Sequence, residues 1–463
     1  MIRPNLSSLA FAVTLACAAT AAQAPELPIA PETEVMDLTP RPGNFTEPAI
    51  AINPKNPSQL VAAFQVTASV AYSQDGGSHW SLATGTAPAD YRVSGDVSVT
   101  YDKHGHALLC YIAFDKLGTS EYWAHNATRN GIFVRRSLDG GRTWEPRAAT
   151  VISQPTRPNI PFEDKPIIVA DRTSSSYSGN LYVGWTEFTL ANSRILFSRS
   201  TDGGVTWSAP VEITTHEGLP RDDNGSVEGF DGVVAPDGTL YAIWADGNEV
   251  VMTSSADGGK TFTASHKILD VAPPYFKVEN VVRSDGFPQI DIDPRTGRLF
   301  VAWTDYRNGD VDVFCSTSMD GARTWSPAVR VNSDPIHDGA DQFFQWLGVD
   351  PVDGVAYIIF YDRRGDPENR LATVSLARST DGGSTFENYA WTREPFDAKN
   401  QFIGDYTGIT AYNGRVYGIW TEERTSPDKS WESNSAEKAP SAKGPAVTIR
   451  ASVIRIGSAS FQH

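Results

Sequence analysis

Carboxylate side chains recur at one point of a repeated strand pattern in this 463-residue chain. They stand where the first strand of each repeat is predicted to begin, at Glu47, Asp96, Asp164, Glu228 with Asp231, Asp285, Asp341 and Asp405. If these strand starts converge, like charges in a narrow space raise some of the pKa values. A carboxyl group that stays protonated at neutral pH is what a general acid requires. The structural alternative for each residue is turn capping, since short Asp side chains also cap turns at strand ends.

A second set of polar residues ends the predicted second strands in an aromatic-x-acid pattern: Trp185/Glu187, Trp244/Asp246, Trp303/Asp305, Phe360/Asp362 and Trp420/Glu422. Arginines follow three of these pairs, at Arg307, at Arg363 and Arg364, and at Arg424. Guanidinium groups from consecutive repeats could hold one anionic ligand bidentately, with Asp231, Asp305 and Asp362 as further substrate-binding residues. In the alternative, each arginine pairs with its own neighbouring acid, as Arg307 with Asp305.

The sequence gives no specific evidence for a metal or cofactor. His104, His106, His216 and His337 lack the spacing of metal ligands, and the loop pattern of an EF-hand is absent. Clustered carboxylates could hold a structural Ca²⁺, so the metal is left open and no cofactor is expected.

Six copies of an octet with the pattern S-x-D-G-G-x-T-W divide the chain. They begin at Ser73, Ser137, Ser200, Ser255, Ser318 and Ser379, and successive starts are 55 to 64 residues apart. Such a spacing accommodates four short strands. The Ser and Asp side chains can hydrogen-bond the backbone of a tight turn, and the glycines permit positive φ. Ala322 replaces the second glycine in the fifth copy, so that turn must use Gly321 for its left-handed residue or carry strain.

Two further strand signals precede each octet, and the layout occurs seven times. The first strands are predicted to begin near Pro48, Val97, Pro166, Val233, Ile290, Leu347 and Ile409. The seventh copy lacks an octet and ends in the strand-like run 446–456, and residues 34–38 could add an outer strand that closes a ring. The predicted fold is an all-β β-propeller of four-stranded blades, with seven blades and six as the alternative.

The octet resembles the Asp box, or BNR repeat, of the sialidase superfamily. The resemblance implies a β-propeller whose octets lie on the face away from the active site. It also implies a tyrosine nucleophile assisted by a glutamate, an aspartate as acid/base and three arginines that bind the substrate carboxylate. Tyr406, in D-Y-T-G-I, and Glu228, before a strand and the D-G turn at Asp237, are similar to the first two. Two of the three arginines are missing, because Thr46-Glu47-Pro48 and Trp244-Ala245-Asp246 stand in their places.

The resulting hypothesis is a secreted, sialidase-like exo-glycosidase that acts on terminal, acidic sugars of glycans. Tyr406, polarised by Glu228 or Asp405, would attack the anomeric carbon, and Asp96 or Asp164 would protonate the leaving oxygen. The substrate would be oriented by Arg307, Arg364 and Arg424. Two alternatives stay open: a noncatalytic propeller that binds glycan or protein, and a polysaccharide lyase in which Tyr406 is the base or acid.

The N-terminus predicts export. Residues 1–24 contain an apolar stretch from Leu9 to Ala22 and an A-x-A cleavage pattern, which together indicate a signal peptide and a secreted or periplasmic protein. Anchoring as a lipoprotein through Cys17 is the minor alternative. Residues 25–463 are then expected to form a single propeller domain, with a flexible loop at about 425–444.

Charge and composition exclude some classes of partner. The formal net charge of −16 argues against nucleic acid, and no other apolar run reaches the ~20 residues that a membrane-spanning helix needs. Cys110 and Cys315 lie in different repeats and are expected to be buried, inert thiols. The expected partner is a glycan or polysaccharide, and the expected oligomeric state is a monomer.

Overall fold

The computed structural model describes residues 26–31, 34–39, 45–65, 67–83, 86, 90–222, 225–272, 277–284, 286–399, 401–424 and 446–455. For Glu34, Arg424 and strand residues 446–449 and 451–455, only the backbone is described. The expected signal peptide, Asp285 and the expected loop at about 425–444 lie outside the described residues.

Within the described residues, seven antiparallel sheets follow one another along the chain. The first strand is β1 (Glu34–Asp37). The first blade contains β2 (Ala49–Ile52), β3 (Leu60–Phe64), β4 (Ser69–Ser73) and β5 (Ser81–Leu82); the second contains β6 (Val93–Tyr101), β7 (Ala107–Lys116), β8 (Thr128–Ser137) and β9 (Ala149–Ser153). The third contains β10 (Phe162–Ala170), β11 (Leu181–Phe188), β12 (Ser193–Ser200) and β13 (Val211–Glu212).

The remaining blades repeat this arrangement. The fourth contains β14 (Val227–Val234), β15 (Leu240–Asp246), β16 (Glu249–Ser255) and β17 (His266–Asp270); the fifth contains β18 (Gln289–Asp293), β19 (Arg298–Asp305), β20 (Asp312–Ser318) and β21 (Val329–Arg330). The sixth contains β22 (Gln342–Val349), β23 (Ala356–Asp362), β24 (Leu371–Ser379) and β25 (Glu387–Ala390), with the short β26 (Phe396–Asp397) paired to β24. The seventh contains β27 (Gly408–Tyr412), β28 (Arg415–Arg424) and β29 (Ala446–Arg455).

The sheets form a closed ring. The innermost strands β2, β6, β10, β14, β18, β22 and β27 each contact the next, and β27 contacts β2. The N-terminal β1 pairs with β29 and completes the seventh blade, so this blade combines both ends of the described chain. The predicted seven-bladed β-propeller and its closure by residues 34–38 are both confirmed.

Tryptophans of the second strands fill the space between adjacent blades. Trp185, Trp244, Trp303 and Trp420 are buried, and each belongs to an apolar cluster shared by its own blade and the preceding one. Because these rings join two sheets, replacing one with alanine would cost about 3–5 kcal/mol. The aromatic residue of the aromatic-x-acid pattern is therefore a core residue.

The octets form the turns between the third and fourth strands of six blades. In the fourth blade, Ser255 Oγ donates a hydrogen bond to Asp257 Oδ1 at 2.9 Å and accepts one from the Gly259 N–H at 2.9 Å. Asp257 also accepts hydrogen bonds from the backbone and hydroxyl of Thr261. In the fifth blade Ala322 adopts φ 65° beside Gly321 at φ 74°, so the alanine itself takes the left-handed conformation. These turns lie at the end of the propeller where the innermost strands finish.

A β-bulge recurs at the opposite end, near the start of four innermost strands. The register shifts between Gly95 and Ser98, Asp164 and Ile167, Glu228 and Asp231, and Phe343 and Trp346. The first bulged residue of each has positive φ: Asp96 at 44°, Lys165 at 47°, Gly229 at 78° and Phe344 at 51°. The chain continues as strand beyond the bulge, so β6, β10, β14 and β22 begin earlier than the sequence pattern predicted.

The two described cysteines are free and buried, as expected. Burial raises the pKa of the Cys315 thiol to about 12 and raises that of Cys110 further. In the described part of the chain, no helix has the length and apolar character needed to cross a membrane.

Candidate active site

The bulged ends of the innermost strands bring one group of polar side chains together at the mouth of the propeller. We call this group the mouth cluster; it comprises Glu47, Asp96, Asp164, Asp222, Glu228, Asp405 and Tyr406. Five of its members are the sequence-predicted catalytic residues: Tyr406, Glu228, Asp405, Asp96 and Asp164. The structure adds Asp222, from the connection before β14, and draws in Glu47, which precedes β2.

Asp96 occupies a central position in the mouth cluster. Its carboxyl group shares hydrogen bonds with the carboxyl groups of both Glu47 and Asp164. It also accepts a hydrogen bond from the backbone N–H of Lys165 at 3.2 Å and one from Gln65 Nε2 at 3.4 Å. The left-handed backbone of Asp96 is part of the bulge in β6, a feature that re-aims side chains beside functional sites. The carboxyl groups of Glu47, Asp96 and Asp164 are therefore joined by hydrogen bonds at the mouth.

Glu47 is held in a strained and buried position. Its side chain is 1% exposed and its φ is 52°, which a non-glycine residue rarely adopts. Burial, followed by the charges of Asp96 and Asp405, raises the pKa of Glu47 well above its usual value. One carboxyl oxygen, Oε2, has no hydrogen-bond partner. The raised pKa thus favours the protonated form of Glu47, and the residue retains an unused acceptor.

Asp164, Asp222 and Glu228 form the other side of the cluster. One carboxyl oxygen from each lies within 4.8 Å of the other two, a grouping that could also hold a hard cation such as Ca²⁺. Burial and the charge and hydrogen bond of Asp96 raise the pKa of Asp164 well above its usual value. Burial also raises the pKa of Asp222, although the guanidinium of Arg283 opposes that shift. The raised pKa of Asp164 favours its protonated form, which is the form that a general acid requires.

Arg283 spans the cluster from the loop before β18. Its Nε donates to Asp405 Oδ1 at 2.7 Å, its Nη2 binds Asp405 Oδ2, and its Nη1 binds Asp222. The guanidinium also lies over the rings of Phe402 and Trp123, at 5.1 and 5.9 Å from their centroids. This one arginine joins the fourth and seventh blades and partly covers the mouth.

Tyr406 lies beneath the carboxyl groups and is 4% exposed. Burial raises the pKa of its hydroxyl well above 10, and the charges of Glu47, Asp96, Asp405 and Asp164 add to the effect in that order. The ammonium of Lys165 lies 4.1 Å from the Tyr406 ring centroid and 4.4 Å from that of Phe287. The hydroxyl is therefore neutral at rest and surrounded by proton acceptors.

Below Tyr406, the ring encloses a central cavity of about 790 Å³. Trp346 lines the cavity and packs on Tyr406 with ring centroids 5.5 Å apart, which separates the cavity from the mouth cluster. Asp231 faces this cavity, and its carboxylate accepts the backbone N–H groups of Gly232 at 2.8 Å and Ile290 at 2.9 Å. Burial raises the pKa of Asp231 to about 7. Asp231 thus links two blades and lies apart from the mouth cluster.

Known proteins resemble this chain in sequence over one segment and in fold over most of its length. A sialidase of Micromonospora viridifaciens is 30% identical over 158 residues, which cover 30% of this chain and 24% of that protein. The chain thus matches about a quarter of the length of this curated relative. The endosialidase of phage phi92 has a TM-score of 0.50 and 11% identity, covering 93% of this chain and 70% of the other. No protein-family model matches.

The chain is a β-propeller, and a segment of it is similar in sequence to a sialidase. An α-L-arabinofuranosidase of Fusarium graminearum also aligns with it, at a TM-score of 0.49 and 13% identity, covering 81% of this chain and 97% of that one. At these identities the solved structures inform the fold alone.

The propeller does not bring the predicted Arg307, Arg363 and Arg364 together at the mouth. Arg307 binds the buried Asp305 through Nε at 2.9 Å and through Nη2, and Nη2 also binds the Asp270 carbonyl. Arg364 binds Asp362 at 2.6 Å and lies 3.5 Å from Asp334. These two arginines adopt the alternative arrangement, in which each pairs with an acid of its own blade or the preceding loop.

Arg363 is also committed to local contacts. It is 1% exposed and donates to the backbone carbonyls of Asn369 and Glu279, each at 2.7 Å. The side chain of Arg424 lies outside the described residues. Asp305 and Asp362 serve as partners for Arg307 and Arg364. They lie apart from the mouth cluster, because the second strands that carry them end outside the innermost ring.

Sequence reasoning missed three contributors to the site. Arg283 and Asp222 lie in connections that match no repeat pattern, so nothing in the sequence singled them out. Lys165 directly follows Asp164, and its backbone φ of 47° places it in the bulge, which sequence alone does not reveal. Glu47 was recognised as part of the acidic ring but was given no role.

Proposed function

We propose that this protein is a retaining exo-glycosidase that hydrolyses a terminal sugar from a glycan at the mouth cluster. The observation that carries the proposal is the position of the Tyr406 hydroxyl, which is buried among the carboxyl groups of Glu47, Asp96, Asp405 and Asp164. The 30% identical relative is a sialidase, which favours a glycan as the substrate.

In the first step, Tyr406 Oη forms a bond to the anomeric carbon while the bond from that carbon to the leaving oxygen breaks. The tyrosine proton passes to the Asp96 carboxylate, which already accepts hydrogen bonds from Glu47 and Asp164. Asp164 gives its own proton to the leaving oxygen. Because the pKa of Tyr406 is raised, the hydroxyl is a nucleophile only when its proton leaves during the attack.

In the second step, water replaces the leaving group. Asp164, now ionised, accepts a proton from the water as its oxygen attacks the anomeric carbon, and the bond to Tyr406 breaks. The proton held by Asp96 returns to Tyr406. The free sugar leaves with the anomeric configuration of the substrate.

An extracytoplasmic location would bring the protein to such glycans. It is expected from residues 1–24, which lie outside the described part of the chain. A fusion of these residues to a reporter enzyme that is active only outside the cytoplasm would test that expectation.

The central experiment incubates the protein with 4-methylumbelliferyl glycosides of several sugars in both anomeric forms, and with natural oligosaccharides. NMR spectroscopy of the products identifies the reaction. A reducing sugar of retained configuration supports the proposal, an unsaturated uronate indicates a lyase, and binding without product indicates a noncatalytic propeller.

The nucleophile is tested with Tyr406→Phe and the matched variant Tyr412→Phe. Tyr412 ends the same strand, β27, and its hydroxyl donates a hydrogen bond to the Pro54 carbonyl at 3.4 Å. We expect Tyr406→Phe to lose at least about 10³-fold in kcat and Tyr412→Phe to stay within about two-fold of the parent. Trapping with a 2-deoxy-2-fluoro glycosyl fluoride should label Tyr406. Equal activity in the two variants would rule out the assignment.

A further inference from the structure

The carboxyl groups of the mouth cluster outnumber its cations. The cluster contains six carboxyl groups: Glu47, Asp96, Asp164, Asp222, Glu228 and Asp405. Two cations of the described chain reach it, Arg283 and Lys165. Arg283 already binds Asp405 and Asp222, and the Lys165 ammonium faces the rings of Tyr406 and Phe287. Burial and repulsion among these carboxyl groups raise the pKa values of Glu47 and Asp164, so the mouth favours an added positive charge over an added negative one.

A substrate carboxylate would be unfavourable at this position. Coulomb repulsion between like charges increases where burial lowers the effective dielectric constant, and Glu47 and Tyr406 are almost completely buried. A protonated amine has the opposite interaction, because it offers both positive charge and hydrogen-bond donors to the carboxyl groups.

Glu47 supplies a second and independent observation. Its Oε2 atom is a buried acceptor with no partner, while the residue's other contacts join it to Asp96 within the cluster. An unsatisfied buried acceptor is costly, and a ligand donor that reaches it removes the cost. The mouth therefore offers one unpaired acceptor, Glu47 Oε2, and one unpaired donor, the Lys165 ammonium, which a hydroxyl group of the same ligand would satisfy.

Arg283 shows which chemistry the mouth accepts. Its guanidinium binds one carboxylate bidentately and a second through Nη1, at the outer side of the cluster. Its side chain is 31% exposed, whereas Glu47 and Tyr406 below it are buried. The outer acids are thus paired with a cation of the chain itself, and the charge of that cation also lowers the pKa values of Glu47 and Asp164 against the larger effect of burial.

We propose that the mouth cluster is specific for a terminal amino sugar with a free ammonium group, which it places against Glu47, Asp96 and Asp164. This inference rests on the proposed function, since it takes the mouth cluster as the site that binds the sugar. It replaces the acidic sugar expected from the sequence with a cationic one.

The test measures binding separately from hydrolysis. The Tyr406→Phe protein is titrated calorimetrically with methyl glycosides of glucosamine and galactosamine, their N-acetyl forms, and methyl glucuronide, each as both anomers. We expect one amino glycoside to bind at least about ten-fold more tightly than its N-acetyl form, and the glucuronide to bind most weakly. Equal binding of the amino and N-acetyl forms, tighter binding of the glucuronide, or no binding of any probe would overturn the inference.

Charge variants locate the effect. Glu47→Gln and Asp164→Asn should each reduce the preference for the amine to about three-fold or less. Asp237→Asn makes the same replacement of a carboxyl group by an amide in an exposed turn on the octet face and should leave the preference unchanged. Two variants of the cluster are used so that the result does not depend on one of them folding. An unchanged preference in both would place the amine elsewhere.

The outcomes also separate this inference from the proposed function. Tight binding of an amino glycoside without hydrolysis by the parent protein would support the inference and contradict the exo-glycosidase proposal. Hydrolysis of neutral glycosides at rates equal to those of amino glycosides would support the exo-glycosidase and contradict the inference.

Discussion

Gly404 packs directly against the backbone of Glu47. A Cβ atom added to Gly404 would lie 2.8 Å from both the N and Cγ atoms of Glu47, and the φ of Gly404 is +94°. The loop before β27 therefore fixes the position of a carboxyl group that precedes β2. Because these segments belong to the seventh and first blades, the closure of the ring also orders the mouth cluster.

This contact predicts that Gly404→Ala impairs the site more than the fold. The added methyl group must push Glu47 away from Asp96, and a displacement of that kind disturbs the positions of the reacting groups. We expect kcat/KM on the best glycoside to fall by more than about ten-fold. The control is Gly297→Ala, because Gly297 has a similar φ of +75° and no atom within 4 Å of the added Cβ. A similar loss in both variants would mean that backbone strain alone is responsible.

The raised pKa of Asp164 predicts a dependence on the leaving group. Asp164→Asn removes the general acid, so hydrolysis of an alkyl glycoside should fall by about 10²–10⁴-fold. A 2,4-dinitrophenyl glycoside needs no protonation and should lose less than about ten-fold. In the parent protein, activity on the alkyl glycoside should decline as the pH rises through the raised pKa of Asp164, because the acid form is then lost. Equal losses on both substrates would assign the acid to another residue.

The sequence predicted the fold because local chemistry repeats with the blade. Each octet specifies its own turn through neighbouring Ser, Asp and Gly residues, and five second strands carry the tryptophan or phenylalanine of the aromatic-x-acid pattern. Strand starts were predicted four to six residues too late in the bulged strands, as at Val97 for β6, which begins at Val93. A bulge breaks the alternation of buried and exposed residues on which the prediction depended.

The candidate site was only partly predictable, because some of its residues share a position in the repeat and others do not. The carboxyl groups at strand starts share a position in the repeat, so Asp96, Asp164, Glu228 and Asp405 were found together. Arg283 reaches Asp405 across 122 positions of sequence, through a loop that has no counterpart in the other repeats. The arginines that were expected at the mouth follow the second strands. Because these strands lie outside the innermost ring, Arg307 and Arg364 bind nearer acids instead.

Glu47 predicts a stability effect that grows with pH. Its pKa in the folded protein is raised well above the unfolded value, so it contributes no penalty below the unfolded pKa and destabilises the fold as the pH rises toward the folded pKa. Glu47→Gln can still donate to Asp96 but carries no charge. We therefore expect its Tm to exceed that of the parent protein by about 2 °C or more at pH 8, and to match it at pH 4. Calorimetry across this range measures the difference. A gain at pH 4 that disappears at pH 8 would reverse the sign and contradict the shift.

The hydrogen bonds of Ser255 predict that a substitution on the octet face can lower the stability of the fold without affecting catalysis. Ser255 is buried, and its hydroxyl joins Asp257 to the Gly259 N–H at the end of the blade opposite to the mouth cluster. Ser255→Ala leaves a buried N–H without its acceptor, which should cost about 1–3 kcal/mol in the free energy of unfolding. Because the octet is separated from Tyr406 by the full length of the blade, kcat/KM should stay within about two-fold of the parent value. Denaturant unfolding measures the loss of stability, and steady-state kinetics on the same preparation measure the activity. A loss of activity equal to that of the mouth variants would place the octets in the catalytic machinery.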